Sequence, residues 1–323
     1  MFRLLAVLPA LLAGIFAVQR PAVAQPSPLK VVVTSKPIHA LVAEVMKGVG
    51  TPALLVEGTA SPHTYAMRPS DAQKINRADV FFRVSEALEP FTAKVVRALP
   101  RTVMVSTLAE APDVKLLQRR AGGPFEMQRS GHAARHTAHA HDHKPGVATS
   151  AYDAHIWLDP ENAKAMAQAI AATLSERAPA DAARFKANAD ALAPRLDRLS
   201  ASLTQELAPI SNRPFVVLHD AYQYFERRFG LAAIGSILVD PDEQTSAKRI
   251  TDLRRKVVEL GAVCVFAEPN HQPRIVASVA EGNGVRTAVL DPEGTLLEPG
   301  PDLYFKLLEQ MASAMKGCLS TPS

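Results

Sequence analysis

Histidines are the residues of this 323-residue chain best suited to chemistry, and its ten divide into two sets of five. His132, His136, His139, His141 and His143 crowd into the run SGHAARHTAHAHDHKPG. Almost no apolar side chain separates them, so the run cannot build a core of its own, and its composition suits metal binding. The other five are scattered. His63 lies in EGTASPHTYAMRPSD, His155 in DAHIWLDP, and His219 ends RPFVVLH. Asp291 ends VRTAVLDP in the same manner. Three neutral imidazoles with one carboxylate form a donor set that Zn²⁺ accepts in tetrahedral geometry, whereas a carboxylate-rich set suits manganese. A lone histidine is more often packed or exposed than a ligand. His39, near a helix start, and His271, in PNHQPR, are read that way. Glu268, ending AVCVFAEP, is a reserve carboxylate ligand or a partner behind one. Asp220 reads as a helix cap and Trp157 as core packing.

These residues need elements to bring them together. LKVVVTS (29–35), TPALLVEG (51–58), ADVFFRV and RTVMVST read as strands, separated by helical stretches from Pro37 to about Lys47, over 69–79 with Ser70 as cap, and over EALEPFTAKVVRALP. RPFVVLH (213–219), LAAIGSI, AVCVFAEP and VRTAVLDP repeat the rhythm, interleaved with helices and closed by PDLYFKLLEQMASAMKG. Strands alternating with helices of this length predict βαβ units and parallel sheets. Between the two halves, residues 160–209 are Ala-rich and helical in period, with Pro179 and Pro194 expected to break or kink them. His63, His219 and Asp291 follow the carboxyl ends of predicted strands, where open α/β sheets bind ligands. Two of the four candidates come from each half, so they can meet only across a crevice between lobes.

The N-terminus predicts export. Arg3 precedes an apolar stretch, Leu4 to Val18, too short to span a bilayer comfortably, and Ala22-Val23-Ala24 fits a cleavage site before Gln25. In an oxidising compartment Cys264 and Cys318 predict one disulfide, against the alternative of a buried Cys264 thiol in AVCVF. The formal charge of +4 falls to +2 once Arg3 and Arg20 leave with the leader. With no long basic run and only 6% aromatics, nothing points to nucleic acid. GxGxxG, Walker, HExxH and Gly-x-Ser-x-Gly patterns are all missing from the sequence.

Five ordered blocks, SPHTYAMRPSDAQ, HIWLDPENA, FVVLHDAYQYFERRFGL, CVFAEP and LDPEGT, with the histidine-rich insertion between the first and second, resemble a known family. It is the periplasmic zinc-binding component of bacterial zinc ABC importers, within the metal-binding cluster of solute-binding proteins. The resemblance covers essentially all of the chain after the leader. It implies an α/β fold of two βα lobes, each with a mostly parallel four-stranded sheet, bridged by a long helix, with the metal in the cleft between them. The corresponding division is a signal peptide over 1–24, a first lobe over 25–160 with a flexible histidine-rich loop at about 119–151, a linking helical segment over 161–209, and a second lobe over 210–323.

By the same resemblance, His63, His155 and His219 are zinc ligands. Manganese members usually have a carboxylate where this chain has His219. Asp291 matches the carboxylate ligand of manganese members, a place often left to water or another group among zinc members. Zinc members share a C-terminal cysteine pair, which supports Cys264–Cys318. The histidine run corresponds to an accessory loop that collects zinc loosely, although it has only Asp142 as an acid and carries Arg129, Arg135 and Lys144, unlike the strongly acidic version. The implied function is capture of Zn²⁺ by a periplasmic monomer that delivers it to an inner-membrane permease driven by a cytoplasmic ATPase. The alternatives are a manganese- or iron-binding member of the same family, or a secreted zinc hydrolase with Glu268 as its base.

Overall fold

The structure, a computed structural model, describes residues 28–120, 123–125, 151–238, 246–269 and 273–320. The segment read as a leader, the five clustered histidines and His271 lie outside the described residues.

The first half builds β1 (Val31–Val33), α1 (Lys36–Val45), β2 (Ala53–Leu54), α2 (Pro69–Asn76), β3 (Val80–Arg83), α3 (Thr92–Ala98) and β4 (Met104–Thr107). Its sheet has the order β2-β1-β3-β4 and is parallel throughout. Beyond a short strand β5 (Gly123–Pro124) come α4 (Pro160–Arg177) and α5 (Ala182–Leu207). The second half then builds β6 (Phe215–His219), α6 (Gln223–Phe229), β7 (Ala233–Leu238), α7 (Ala247–Glu259), β8 (Cys264–Ala267), α8 (Pro273–Ala280), β9 (Arg286–Val289) and α9 (Leu303–Leu319). Two α/β lobes result.

The second sheet differs from the four strands expected. Its order is β5-β7-β6-β8-β9, and the added edge strand comes from the first half, pairing antiparallel with β7 through Gly123↔Ser236 and Pro124↔Gly235. The other pairings in this sheet are parallel.

Alternation along the buried strands sorts side chains onto two faces of each sheet. Val31, Val33 and Phe82 of the first sheet and Phe215, Val217, Cys264 and Phe266 of the second share one apolar core with α1, α4, α5 and α9. Their neighbours along the strands point outward. Val32 and Phe81 pack with Ile75 and Val95, from α2 and α3. Val216, Leu218 and Val265 pack with Leu253 and Val257 of α7 and with Val276 and Val279 of α8. The parity matters for the site, because His219 and Glu268 continue the inward series 215, 217, 219 and 264, 266, 268 at the carboxyl ends of adjacent strands.

The bridge is a pair of helices. Pro179 ends α4, and a short 3-10 turn over Pro179–Asp181 leads into α5, which packs along α4 and reaches α1, α6 and α9. Pro194 was expected to break or kink the segment; the 26-residue α5 runs through it. The exposed flank of an amphipathic helix tolerates the lost backbone bond while Leu192, Leu196, Leu199 and Leu203 stay buried. Two predicted caps also differ. Arg68, not Ser70, precedes α2, whose first turn is fastened by Asp71 accepting from the Arg68 N–H at 2.9 Å. Asp220 lies before Tyr222, the residue that precedes α6, and its carboxylate is taken by Arg120. The cysteines are joined as Cys264–Cys318, tying β8 to α9 with Cα atoms 6.1 Å apart.

Candidate metal centre

Each histidine arrives on a different kind of support. His63 sits in the turn-rich segment after β2 and is partly exposed, its N–H donating to Ser61 Oγ at 3.4 Å. His155 opens a 3-10 turn over Ile156–Leu158. The buried Trp157 of that turn packs against the His155 ring, with centroids 5.3 Å apart. His219 is the last residue of β6 and only 2% exposed. The strand order reverses between β6 and β8, so His219 stands at the switch point of the second sheet, where such sheets place ligands.

The three rings meet. His63 Nε2 lies 3.2 Å from His155 Nε2, and His219 Nε2 lies 3.3 Å from the same atom. One nitrogen from each residue falls within 4.8 Å of the other two, the one group of three such donors among the described residues. A tetrahedral zinc with Zn–N bonds of about 2.0–2.1 Å sets its ligand nitrogens roughly 3.3 Å apart, which is the spacing of the two pairs that share His155.

Behind two of the rings stand carboxylates. Asp153 Oδ1 lies 2.7 Å from His155 Nδ1 and also accepts the His155 N–H at 3.0 Å. Glu268 Oε1 lies 2.6 Å from His219 Nδ1 and accepts the Tyr222 hydroxyl at 3.0 Å. Once Asp153 and Glu268 are ionised they only accept, so each Nδ1 then carries the proton and each Nε2 presents its lone pair inward. Two lone pairs facing each other at 3.3 Å repel. A cation between them turns the contact into two coordinate bonds, and the carboxylates behind fix ring orientation and raise ligand basicity.

The electrostatics agree. Burial lowers the His219 pKa, but Glu268, with Glu293 and Asp220 farther off, holds the net value above that of an ordinary imidazole. Burial raises Asp153 to about 7, against the opposing His155 N–H and Arg120. Glu293 rises to about 8 through burial, opposed by His219 and the Ser61 hydroxyl. This surplus of buried acid gives up protons readily to an arriving divalent cation.

The remaining candidates fall outside the cluster. Asp291 contributes no oxygen to the group of close donors; its carboxylate accepts from Thr295 Oγ1 at 2.9 Å and from the backbone N–H groups of Glu293 and Leu296 at 3.2 and 3.3 Å. It therefore shapes its own turn. His39 is packed, with Nε2 3.1 Å from the Pro52 carbonyl. Glu268 is engaged behind His219 and is not placed as a base facing an open position. Three residues of the site were not singled out from sequence: Asp153, Tyr222 and Glu293. Asp153 carried a readable signal, a carboxylate two positions before a candidate histidine.

The chain matches the family model described as zinc-uptake complex component A, periplasmic, over residues 31–318. It is 44% identical over 305 residues to the high-affinity zinc uptake system protein ZnuA of Brucella suis biovar 1, covering 90% of this chain and 91% of that one. Among solved structures, the periplasmic zinc-binding protein TroA from Treponema pallidum aligns with TM-score 0.73 at 18% identity, over 91% of this chain and 99% of that one. The solute-binding protein FpvC from Pseudomonas aeruginosa, in complex with Mn²⁺, aligns with TM-score 0.74 at 19% identity, over 91% and 99%. At these identities the structural likeness speaks for the fold, which carries different metals in different proteins.

Proposed function

Because the chain belongs to the ZnuA family of periplasmic zinc-uptake components, we propose that His63, His155 and His219 are the residues with which it holds Zn²⁺. The protein captures zinc as cargo for an ABC importer, and zinc is the transported ligand. One observation carries the residue assignment: two carboxylate-backed imidazoles, His155 and His219, turn their lone pairs toward one point at 3.3 Å, with His63 beside them. All-nitrogen donation at this spacing suits zinc better than manganese, which prefers oxygen.

In the fuller reading the leader is removed after Ala24 and the mature protein works in the periplasm as a monomer. It hands its ion to an inner-membrane permease driven by a cytoplasmic ATPase, with no reaction on the metal. The fourth position belongs to Asp291, after a local rearrangement of its turn, or to water. His132, His136, His139, His141 and His143 form a weaker accessory site.

The test is competition of the mature protein with a zinc chelator, in parallel with His63→Ala, His155→Ala and His219→Ala. Each substitution is expected to cost orders of magnitude in affinity. Three variants that bind zinc as tightly as the parent would refute the assignment.

A further inference from the structure

The turn after β9, residues 291–297, follows a second-lobe strand but is held by the first lobe. Lys36, the first residue of α1, is 7% exposed. Its ammonium donates to the carbonyl oxygens of Thr295 at 2.7 Å, Leu297 at 2.9 Å and Gly294 at 3.4 Å. The Trp157 indole N–H donates to the Pro292 carbonyl at 2.8 Å. The Ser61 hydroxyl donates to Glu293 at 3.0 Å. Three separate stretches of the first half thus grip one turn of the second.

Two of these residues also touch the histidine cluster, Ser61 through the His63 N–H and Trp157 through the His155 ring. Lys36 stands at the carboxyl end of β1, next to β3, where the strand order of the first sheet reverses. Open α/β sheets bind ligands at such a point; here it is filled by backbone from the other lobe. An ammonium has three N–H donors and no acceptor, so three carbonyls saturate it and make its burial tolerable. Burial pushes the Lys36 pKa down, and Asp291, Glu298 and Glu293 pull against that.

We propose that Lys36 is a positioning residue for zinc capture: by gripping the carbonyls of Gly294, Thr295 and Leu297 it fixes the turn that Ser61 and Trp157 join to the three-histidine cluster. The time the ion stays bound is then set partly by a contact outside the cluster. This inference rests on the zinc reading above.

Charge alone predicts the opposite outcome. A cation near a divalent ion repels it, so removing the ammonium would tighten binding if repulsion were its only effect. The experiment measures zinc affinity by chelator competition and zinc release by stopped flow, in the parent, Lys36→Met and Ser61→Ala. Trp157, the single tryptophan, reports the grip through its emission. Lys36→Met is expected to release zinc about tenfold faster or more, the scale seen when partners behind a metal site are lost. Ser61→Ala moves the same way by less. Trp157 emission of metal-free Lys36→Met shifts, and its cobalt(II)-saturated absorption changes, which loss of stability by itself does not cause.

Tighter zinc binding by folded Lys36→Met, or unchanged release and emission in both variants beside normal parent binding, would overturn the grip alone. Should Lys36→Met not fold, unchanged release in Ser61→Ala would overturn it. A parent that holds no zinc, or a His219→Ala variant that holds it equally well, would overturn the zinc reading and this inference together.

Discussion

His219 ends β6 and Glu268 directly follows the adjacent strand β8, and Nδ1 of the one lies 2.6 Å from Oε1 of the other. The pairing follows from alternation along β6 and β8 and needs no special loop. It fixes the tautomer and aim of the imidazole before any ion arrives.

Glu268→Gln should weaken zinc binding about ten- to a hundredfold, because the amide no longer supplies a charged acceptor behind the ring. Asp153→Asn should do the same through His155. Tyr222→Phe, which leaves the carboxylate in place, should cost less. Chelator competition on the three variants checks the order.

Zinc affinity should fall with falling pH, beginning above the range of an ordinary imidazole. The His219 pKa is raised, so the proton that competes with the metal binds more tightly than usual. Asp153 near 7 and Glu293 near 8 also carry protons in the metal-free protein around neutrality. Titration calorimetry at pH 7 in buffers of different ionisation enthalpy should therefore report protons released on binding. Zero release would contradict the arrangement of acids described above.

Glu89 predicts a pH effect on stability away from the metal. It is fully buried, accepts from the Thr34 hydroxyl and from the Val84 and Ser85 N–H groups, and burial raises it from 4.5 to about 7. The folded protein thus binds this proton more tightly than the unfolded chain. Its contribution is fully present below pH 4.5 and is lost as the pH rises toward 7, on the order of 3 kcal/mol. Urea melts of the parent and of Glu89→Gln between these limits should diverge in slope, with the variant flatter.

Deleting residues 130–144 removes five histidines and leaves His63, His155 and His219 in place. Equilibrium dialysis should then show one tight zinc site retained and weaker binding lost. Disappearance of the tight site would count against a separate cluster.

The three histidines that meet were legible because each lies next to a recognisable element, and the paired lobes because β-branched runs alternate with helical ones. Residue type and strand-end placement mark Asp291 as a candidate but do not reveal that its oxygens accept from Thr295, Leu296 and Glu293. Strand β5 escaped notice for a different reason. A two-residue Gly-Pro segment has no period, and its partners, Ser236 and Gly235, are more than a hundred positions away. Lys36 goes unmarked in the sequence, because its three acceptors are backbone carbonyls, which sequence does not display.

The edge strand also bears on how the chain can be divided. Residues 210–320 expressed by themselves would lack Gly123 and Pro124, leaving the outer ladder of β7 bare, and would lose the α1, α4 and α5 side chains that cover Phe215 and Phe266. A naked parallel-sheet edge beside an uncovered apolar face invites self-association. The two lobes are partners in one cooperative unit, and fragments cut between them should precipitate where the intact protein stays monodisperse.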